Sequence, residues 1–193
     1  MKKLISFLLS FFFILSVFLL SGCEAIAKSG WSKAFYPDNF GDPTDEWYLV
    51  NEKRFSGTYN SPTASKAKLT AEIVIDLDKA TILLFENKNE QLKNGSDNDW
   101  EYVIEIKKAT GEKTSTEGTM VRGGDRIVVS NAHTLINALR NSENISVYLE
   151  RTDLPATNYL FTADCSNFES LYTEELYQAA LKYRESENYN LNP

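Results

Sequence analysis

The feature that most constrains this chain is an alternation of apolar and polar residues along short segments. The segment 69–77 places five apolar side chains on one face of an extended chain: Leu69, Ala71, Ile73, Ile75 and Leu77. The segment 100–107 repeats the pattern with Trp100, Tyr102, Ile104 and Ile106. Successive side chains of a β-strand point to opposite faces, and this alternation is typical of antiparallel sheets that bury one face. The sequence therefore predicts a mainly β fold.

Further short segments have the same strand character. They are Trp47–Val50, Phe55–Asn60, Thr81–Glu86, Thr114–Val121, Arg126–Ser130, Ile145–Glu150 and Asn158–Thr162. Turn residues separate them, with a tight hairpin predicted at Asp76–Lys79, a polar loop at Lys93–Asp99 and a Gly-Gly turn at Arg122–Asp125. About nine strands in one domain favour an antiparallel β-sandwich or a closed barrel, and the sequence leaves both open.

Two segments change to a helical period. Asn131 to Arg140 predicts one short internal helix, with Ser130 or Asn131 as its cap. A C-terminal amphipathic helix is predicted from Asn167 to Arg184, with an apolar stripe of Phe168, Leu171, Tyr172, Leu176, Ala179, Ala180 and Tyr183. We expect this stripe to pack on the sheet. The alternative is that it binds a partner, and its candidate contact residues are then Phe168, Tyr172 and Leu176.

The N-terminal segment has the pattern of an export signal. Lys2 and Lys3 precede an almost purely apolar run of 17 residues from Leu4 to Leu20. A transmembrane helix needs roughly 17–25 residues, so this run lies at the lower limit of that alternative. The small residues that follow the run fit signal cleavage better than a membrane-spanning helix. Residues 1–22 are therefore predicted to be a cleaved signal peptide.

The sequence Leu20-Ser-Gly-Cys23 resembles the lipobox of bacterial lipoproteins at all four positions. The resemblance implies cleavage between Gly22 and Cys23 and acylation of Cys23 with palmitate-type chains. Two or three such chains hold a protein at a membrane durably, whereas one binds only marginally. Glu24 stands where this family's inner-membrane retention signal has Asp, so the resemblance favours the outer membrane of a cell envelope that has one.

The remaining chain is predicted to be organised as one domain. Residues 23–35 lack a clear period and are predicted to form the lipidated cysteine and a short tether. The domain is predicted over 36–184, followed by a flexible tail at 185–193.

A second resemblance concerns this domain. Phe40-Gly-Asp-Pro-Thr-Asp-Glu46 followed by Gly57-Thr-Tyr-Asn-Ser61 resembles the opening of an uncharacterised family of exported bacterial β-domains. Tyr159-Leu-Phe-Thr-Ala163, leading to Phe168, resembles that family's closing strand. The resemblance implies a β fold and export, with no assigned activity.

Charge and cysteine content limit the chemistry. The net charge of −7 becomes −9 when the signal peptide is removed, which argues against nucleic-acid binding because that needs clustered basic residues. If Cys23 is acylated, Cys165 has no disulfide partner in the chain. A catalytic Cys165 would need His133, the sole histidine, as its base. We favour instead a small buried residue at Cys165 and a surface or capping residue at His133.

No cofactor is predicted, but one loop has the ligand chemistry of calcium. Asp97 and Asp99 are alternate hard oxygen ligands in a polar loop, which makes them the metal candidates. An ordinary solvated loop is the favoured interpretation, because the residues that complete a calcium-binding loop do not follow.

Together these features predict a lipid-anchored protein of the bacterial cell envelope that acts as a binding, recognition or structural module rather than an enzyme. Its expected partners are the membrane, through the anchor, and an envelope protein, host protein or glycan. One alternative is an envelope hydrolase that uses carboxylates not identified here. Another is an inhibitor or assembly factor that acts through the C-terminal helix.

Overall fold

A computed structural model describes residues 30–86, 90–174 and 176–178. This part contains eleven strands: β1 Trp31–Pro37, β2 Pro43–Asn51, β3 Phe55–Ser61, β4 Ala64–Asp76, β5 Lys79–Glu86, β6 Glu90–Gln91, β7 Trp100–Lys108, β8 Lys113–Met120, β9 Ile127–Val129, β10 Asn144–Arg151 and β11 Asn158–Asp164. Two helices are defined in it, α1 at Ala132–Arg140 and α2 at Phe168–Leu171.

Eight of the strands form a closed antiparallel barrel. Its order is β4-β3-β11-β10-β7-β8-β9-β5, and β5 pairs again with β4 along Leu69–Asp76. Of the two architectures that the sequence left open, the barrel is the one observed. Strand β2 pairs with β4, β1 pairs with β2, and the short β6 pairs with β5.

Alternate residues of the barrel strands point inward and fill the interior. These fully buried side chains include Leu69, Ala71, Ile73, Ile75, Ile82, Leu84, Ile104, Ile106, Met120, Ile145, Val147, Leu149 and Phe161. Burial of one large aliphatic side chain contributes roughly 1.5–3 kcal/mol to the free energy of unfolding. The alternation read from the sequence therefore corresponds to a packed barrel core.

One end of the barrel is covered by α1 and an aromatic cluster. Helix α1 contacts β5, β7, β8 and β10, and it buries Leu135, Ile136 and Leu139. Beside it, the Trp31 and Phe168 rings pack edge to face at 4.7 Å, and Trp31 Nε1 donates to the carbonyl oxygen of Asp164 at 2.8 Å. This end is therefore closed by apolar packing.

Each of the nine predicted strands has a counterpart in the structure, and the hairpin predicted at Asp76–Lys79 joins β4 to β5. The predicted internal helix is confirmed as α1, although Asn131 at its start makes no side-chain capping hydrogen bond. The start of the folded region is corrected. The predicted tether 23–35 extends too far, because Trp31 is 1% exposed and begins β1.

The C-terminal helix is interrupted rather than continuous. Helix α2 ends at Leu171 because Tyr172, with φ −107° and ψ 77°, leaves the helical conformation. The Tyr172 ring enters the core, and its hydroxyl donates to the carbonyl oxygen of Leu77. Helical backbone resumes at residues 174 and 176–178, whereas 179–184 and the predicted tail 185–193 lie outside the described residues.

Candidate functional site

The predicted lipidation site lies outside the described residues. Gly22 and Cys23, the signal peptide 1–22 and most of the tether fall within residues 1–29. Within the part that the structure describes, no helix combines the length and the apolar character needed to cross a bilayer.

The calcium candidates lie in the loop between β6 and β7. Asp99 Oδ1 accepts the backbone N–H of Arg122 at 2.7 Å, so this carboxylate ties the loop to the turn before β9. The buried Asn94 side chain supports the same loop, donating to the carbonyl oxygens of Asn98 and Met120 at 2.9 Å. The described residues contain no group of three or more side chains suited to a metal ion. Asp99 therefore has a defined structural contact.

The three candidate partner-binding residues of the C-terminal segment differ in exposure. Phe168 and Tyr172 are fully buried and stack at 5.7 Å, whereas Leu176 is half-buried. The first two rings thus contact the protein's own core, beneath Trp31. This is the packing role that the sequence favoured for the stripe.

Cys165 and His133 are both buried. Cys165 is 4% exposed, as expected of a small core residue, and burial raises the pKa of its thiol to about 12. A thiolate nucleophile is therefore disfavoured at this position. The expectation of a surface or capping His133 is wrong. It lies in the first turn of α1 on the inward helix face, and its ring meets Tyr177 edge to face at 5.6 Å.

The barrel end opposite α1 holds a cluster of buried polar groups that sequence reasoning missed. The Tyr159 hydroxyl donates to Glu86 Oε1 at 2.9 Å, and the Tyr159 ring lies 6.1 Å from Tyr59 and 6.4 Å from Tyr102. The buried Tyr102 hydroxyl has no hydrogen-bond partner among the described residues. The sequence contained one indication of this cluster, because Glu86 continues the series of inward-facing positions of β5 after Ile82 and Leu84.

Electrostatics at this end follow from burial. Desolvation raises the pKa of the Glu86 carboxyl, and the hydrogen bond from Tyr159 opposes that effect. Burial also raises the pKa of both Tyr102 and Tyr159, so the two phenols stay neutral. Nearby, Arg151 packs 4.0 Å from the Trp100 ring and donates to both carboxylate oxygens of Asp153. Glu86 is therefore the group of this cluster that takes up a proton more readily than usual, whereas Arg151 links the ends of β10 and β7.

A mixed apolar and acidic surface, here called the outer face, crosses three barrel strands. The register places Leu160, Tyr148 and Glu105 in one row, with Val103 and Glu150 in the next. Val103 is 40% and Leu160 46% exposed. The Tyr148 hydroxyl donates to Glu150 Oε2 at 2.6 Å, and burial together with this carboxylate raises the pKa of Tyr148 to about 12.

The second exposed apolar feature is the hairpin of β1 and β2, here called the aromatic hairpin (residues 31–51). Phe35 pairs with Trp47 across the strands, and Lys33 Nζ lies 4.3 Å from the Trp47 ring. Tyr36 and Tyr48 pack at 4.8 Å on the opposite face. At the turn, Phe40 is 92% exposed.

Comparisons with protein-family models, with curated proteins and with solved structures found no match to this chain. In the part of the chain that the structure describes, the fold is a closed eight-stranded antiparallel barrel, with exposed apolar residues on the outer face and on the aromatic hairpin.

Proposed function

We propose that this protein is an exported lipoprotein whose barrel is held at a bacterial cell envelope by acyl chains on Cys23. The support is the basic start of the chain, the apolar run Leu4–Leu20 and the lipobox-like Leu20–Cys23. Residues 24–30 then connect Cys23 to the barrel domain, which begins at Trp31. The barrel is consequently kept close to the membrane that carries the anchor.

We further propose that the anchored barrel is a binding module. The observation that carries this proposal is the packing of the barrel interior by the protein's own side chains. Contact with another molecule then has to be made by the outside of the barrel, its loops or the aromatic hairpin. Exposed aliphatic residues flanked by carboxylates on the outer face suit a protein partner with complementary basic groups.

The anchor is tested by metabolic labelling with a palmitate analogue in a bacterium that processes lipoproteins. We expect the wild-type chain to incorporate the label and Cys23→Ala to lose it. Cys165→Ala is the matched control, because it removes the other cysteine and leaves the lipobox intact. Label retained by Cys23→Ala, or lost equally from both variants, would contradict acylation at Cys23.

The binding role is tested by photo-crosslinking in the native cell from a residue of the outer face. A crosslinker at Leu160 is compared with one at Val128, which is also 46% exposed but lies on β9. We expect a discrete adduct from Leu160 that is absent from Val128 and is lost in the Glu150→Lys variant. Equal adducts from both positions, or none, would overturn the assignment of this face.

A further inference from the structure

We propose that the aromatic hairpin rests on the membrane that carries the anchor, with Phe40 and Phe35 entering the headgroup region of a zwitterionic phospholipid bilayer. This inference rests on the proposed acylation of Cys23. It adds a second, non-covalent membrane contact and therefore a defined orientation of the barrel.

The hairpin projects from the barrel. In the described structure β1 pairs with β2 alone, and β2 pairs with β4 only at Leu49 and Val50. The base is fixed in the core, since Trp31 and Leu49 are fully buried. Toward the turn, Phe35 is 45% exposed and Trp47 is half-buried. Although Trp47 packs against the core, the hairpin presents the Phe35 and Phe40 rings to solvent.

The residue types suit a bilayer interface. Trp and Tyr side chains concentrate at the level of the lipid headgroups, and Phe side chains of interfacial segments bury into the boundary between headgroups and acyl chains. Lys33, whose ammonium lies over the Trp47 ring, can extend toward phosphate oxygens while its methylenes cover the apolar face. Among the described residues, Phe40 at the turn is the most exposed large apolar side chain and would enter first.

Chain length places the hairpin within reach of the bilayer. The seven residues 24–30 span at most about 25 Å even when fully extended. Strand β1 begins at their end, and its seven residues rise about 23 Å toward the turn. With Cys23 at the membrane surface, a hairpin inclined toward that surface brings Phe40 into contact with it.

Charge selects the kind of lipid. The hairpin carries Asp38, Asp42, Asp45 and Glu46 against Lys33. Asp38 Oδ1 accepts the backbone N–H groups of Phe40 and Asp42 at 2.8 and 2.9 Å, so this carboxylate is used within the turn. The excess of negative charge would be repelled by anionic lipids, and the contact should therefore be strongest on zwitterionic bilayers.

The test uses the full acylated protein in phosphatidylcholine vesicles with brominated acyl chains. A fluorophore is attached at the turn through Asn39→Cys, or at the opposite barrel end through Asp97→Cys; the buried Cys165 stays unlabelled in the native state. We expect bromolipid quenching of the turn probe only. Combining Phe40→Ser with Phe35→Ser should reduce the bound fraction of the hairpin about tenfold or more, whereas Leu160→Ser should not.

The outcomes separate the two proposals. Acyl chains missing from the intact mass of the purified protein would contradict the proposed function. Acylated protein whose turn probe is unquenched, or is quenched no more than the Asp97 probe, would overturn the hairpin contact alone. If quenching of the turn probe depends on the density of protein on the vesicles and not on the bromolipid, the hairpin contacts a second copy of the chain. That result would also overturn the membrane contact. Anionic lipid should weaken quenching at low salt, and added salt should restore it.

Discussion

The side chain of Asn51 lies where β4 changes its neighbour from β3 to β2. Its Oδ1 accepts the backbone N–H of Ile73 at 2.7 Å, and its Nδ2 donates to the carbonyl oxygen of Lys53 at 2.8 Å. The Asn51 side chain is buried, at 5% exposed. It supplies the acceptor for the backbone N–H of Ile73, which has no backbone hydrogen-bond partner on a neighbouring strand at that point. The Asn51 amide is thus one of the links between the hairpin and the barrel.

Replacing Asn51 by Ala should lower the free energy of unfolding by about 1–3 kcal/mol, because the buried N–H of Ile73 loses its acceptor. Urea denaturation followed by circular dichroism measures the change. Asn39→Ala, at an exposed turn position, is the control and should change stability by less than about 0.5 kcal/mol. Equal effects at the two positions would show that the Asn51 side chain does not stabilise β4.

Glu86 makes stability depend on pH in a direction that can be worked out. Its pKa is raised on folding by burial, so the folded state binds the proton more tightly than the unfolded chain. The resulting stabilisation is complete below the unfolded pKa and is lost as pH rises through the folded pKa. Glu86→Gln, which resembles the protonated form, should therefore be more stable than wild type at neutral pH and similar to it at about pH 3.

Urea midpoints measured between about pH 3 and pH 8 check this prediction. Tyr159→Phe provides the matched variant, because it removes the hydrogen bond that lowers the Glu86 pKa. In Tyr159→Phe, the loss of stability with rising pH should therefore occur at higher pH than in the wild type. A Glu86→Gln effect of constant size at every pH would contradict a burial-raised carboxyl pKa.

At the scale of strands, Gly57 allows β3 and β11 to approach each other closely in the barrel wall. A Cβ at this position would overlap the carbonyl oxygen of Leu160 and lie 2.7 Å from Cβ of Phe161. Backbone cannot move aside as a flexible side chain can, so Gly57→Ala should destabilise the fold by about 1–3 kcal/mol. Thermal denaturation measures the change. Gly95→Ala, where a Cβ would meet nothing within 4 Å, is the control. Comparable melting temperatures would contradict the close approach.

The barrel strands could be predicted because their sequence and burial share one period. Every buried position of β4 and β7 is apolar and the positions between them are largely polar, so the alternation alone locates the strands. Strand β1 lacked that signal because Lys33 lies between Trp31 and Phe35 on one face of the hairpin, and that face is buried only at its base. The interruption of the helix at Tyr172 could not be predicted from the sequence either, because the apolar stripe continues after the backbone leaves the helix.

The candidate site residues depended on contacts between distant segments, which periodicity does not encode. Glu86 and Tyr159 are 73 residues apart and meet only when β5 and β11 lie in the same barrel. The burial of His133 depends on which face of α1 meets the barrel end. Closure itself requires β5 to pair with both β9 and β4, and no local pattern distinguishes that pairing from a sandwich.

The whole molecule combines a packed barrel with a proposed covalent attachment at one cysteine. The two features can be examined together because the chain has two cysteines, Cys23 and the buried Cys165. Burial and a pKa of about 12 protect the Cys165 thiol in the folded state. Acylation would remove the Cys23 thiol in every state.

Reaction of the membrane-purified protein with a maleimide should therefore give no adduct in native buffer and one adduct in denaturant, counted by intact mass. The native reaction should stay slow as pH rises to about 8, because the thiolate fraction at Cys165 remains small when its pKa is raised. Cys165→Ala should give no adduct even in denaturant, which assigns the reactive thiol. Two adducts in denaturant would mean that Cys23 is not acylated, whereas rapid native labelling that Cys165→Ala abolishes would mean that the barrel end around Cys165 opens.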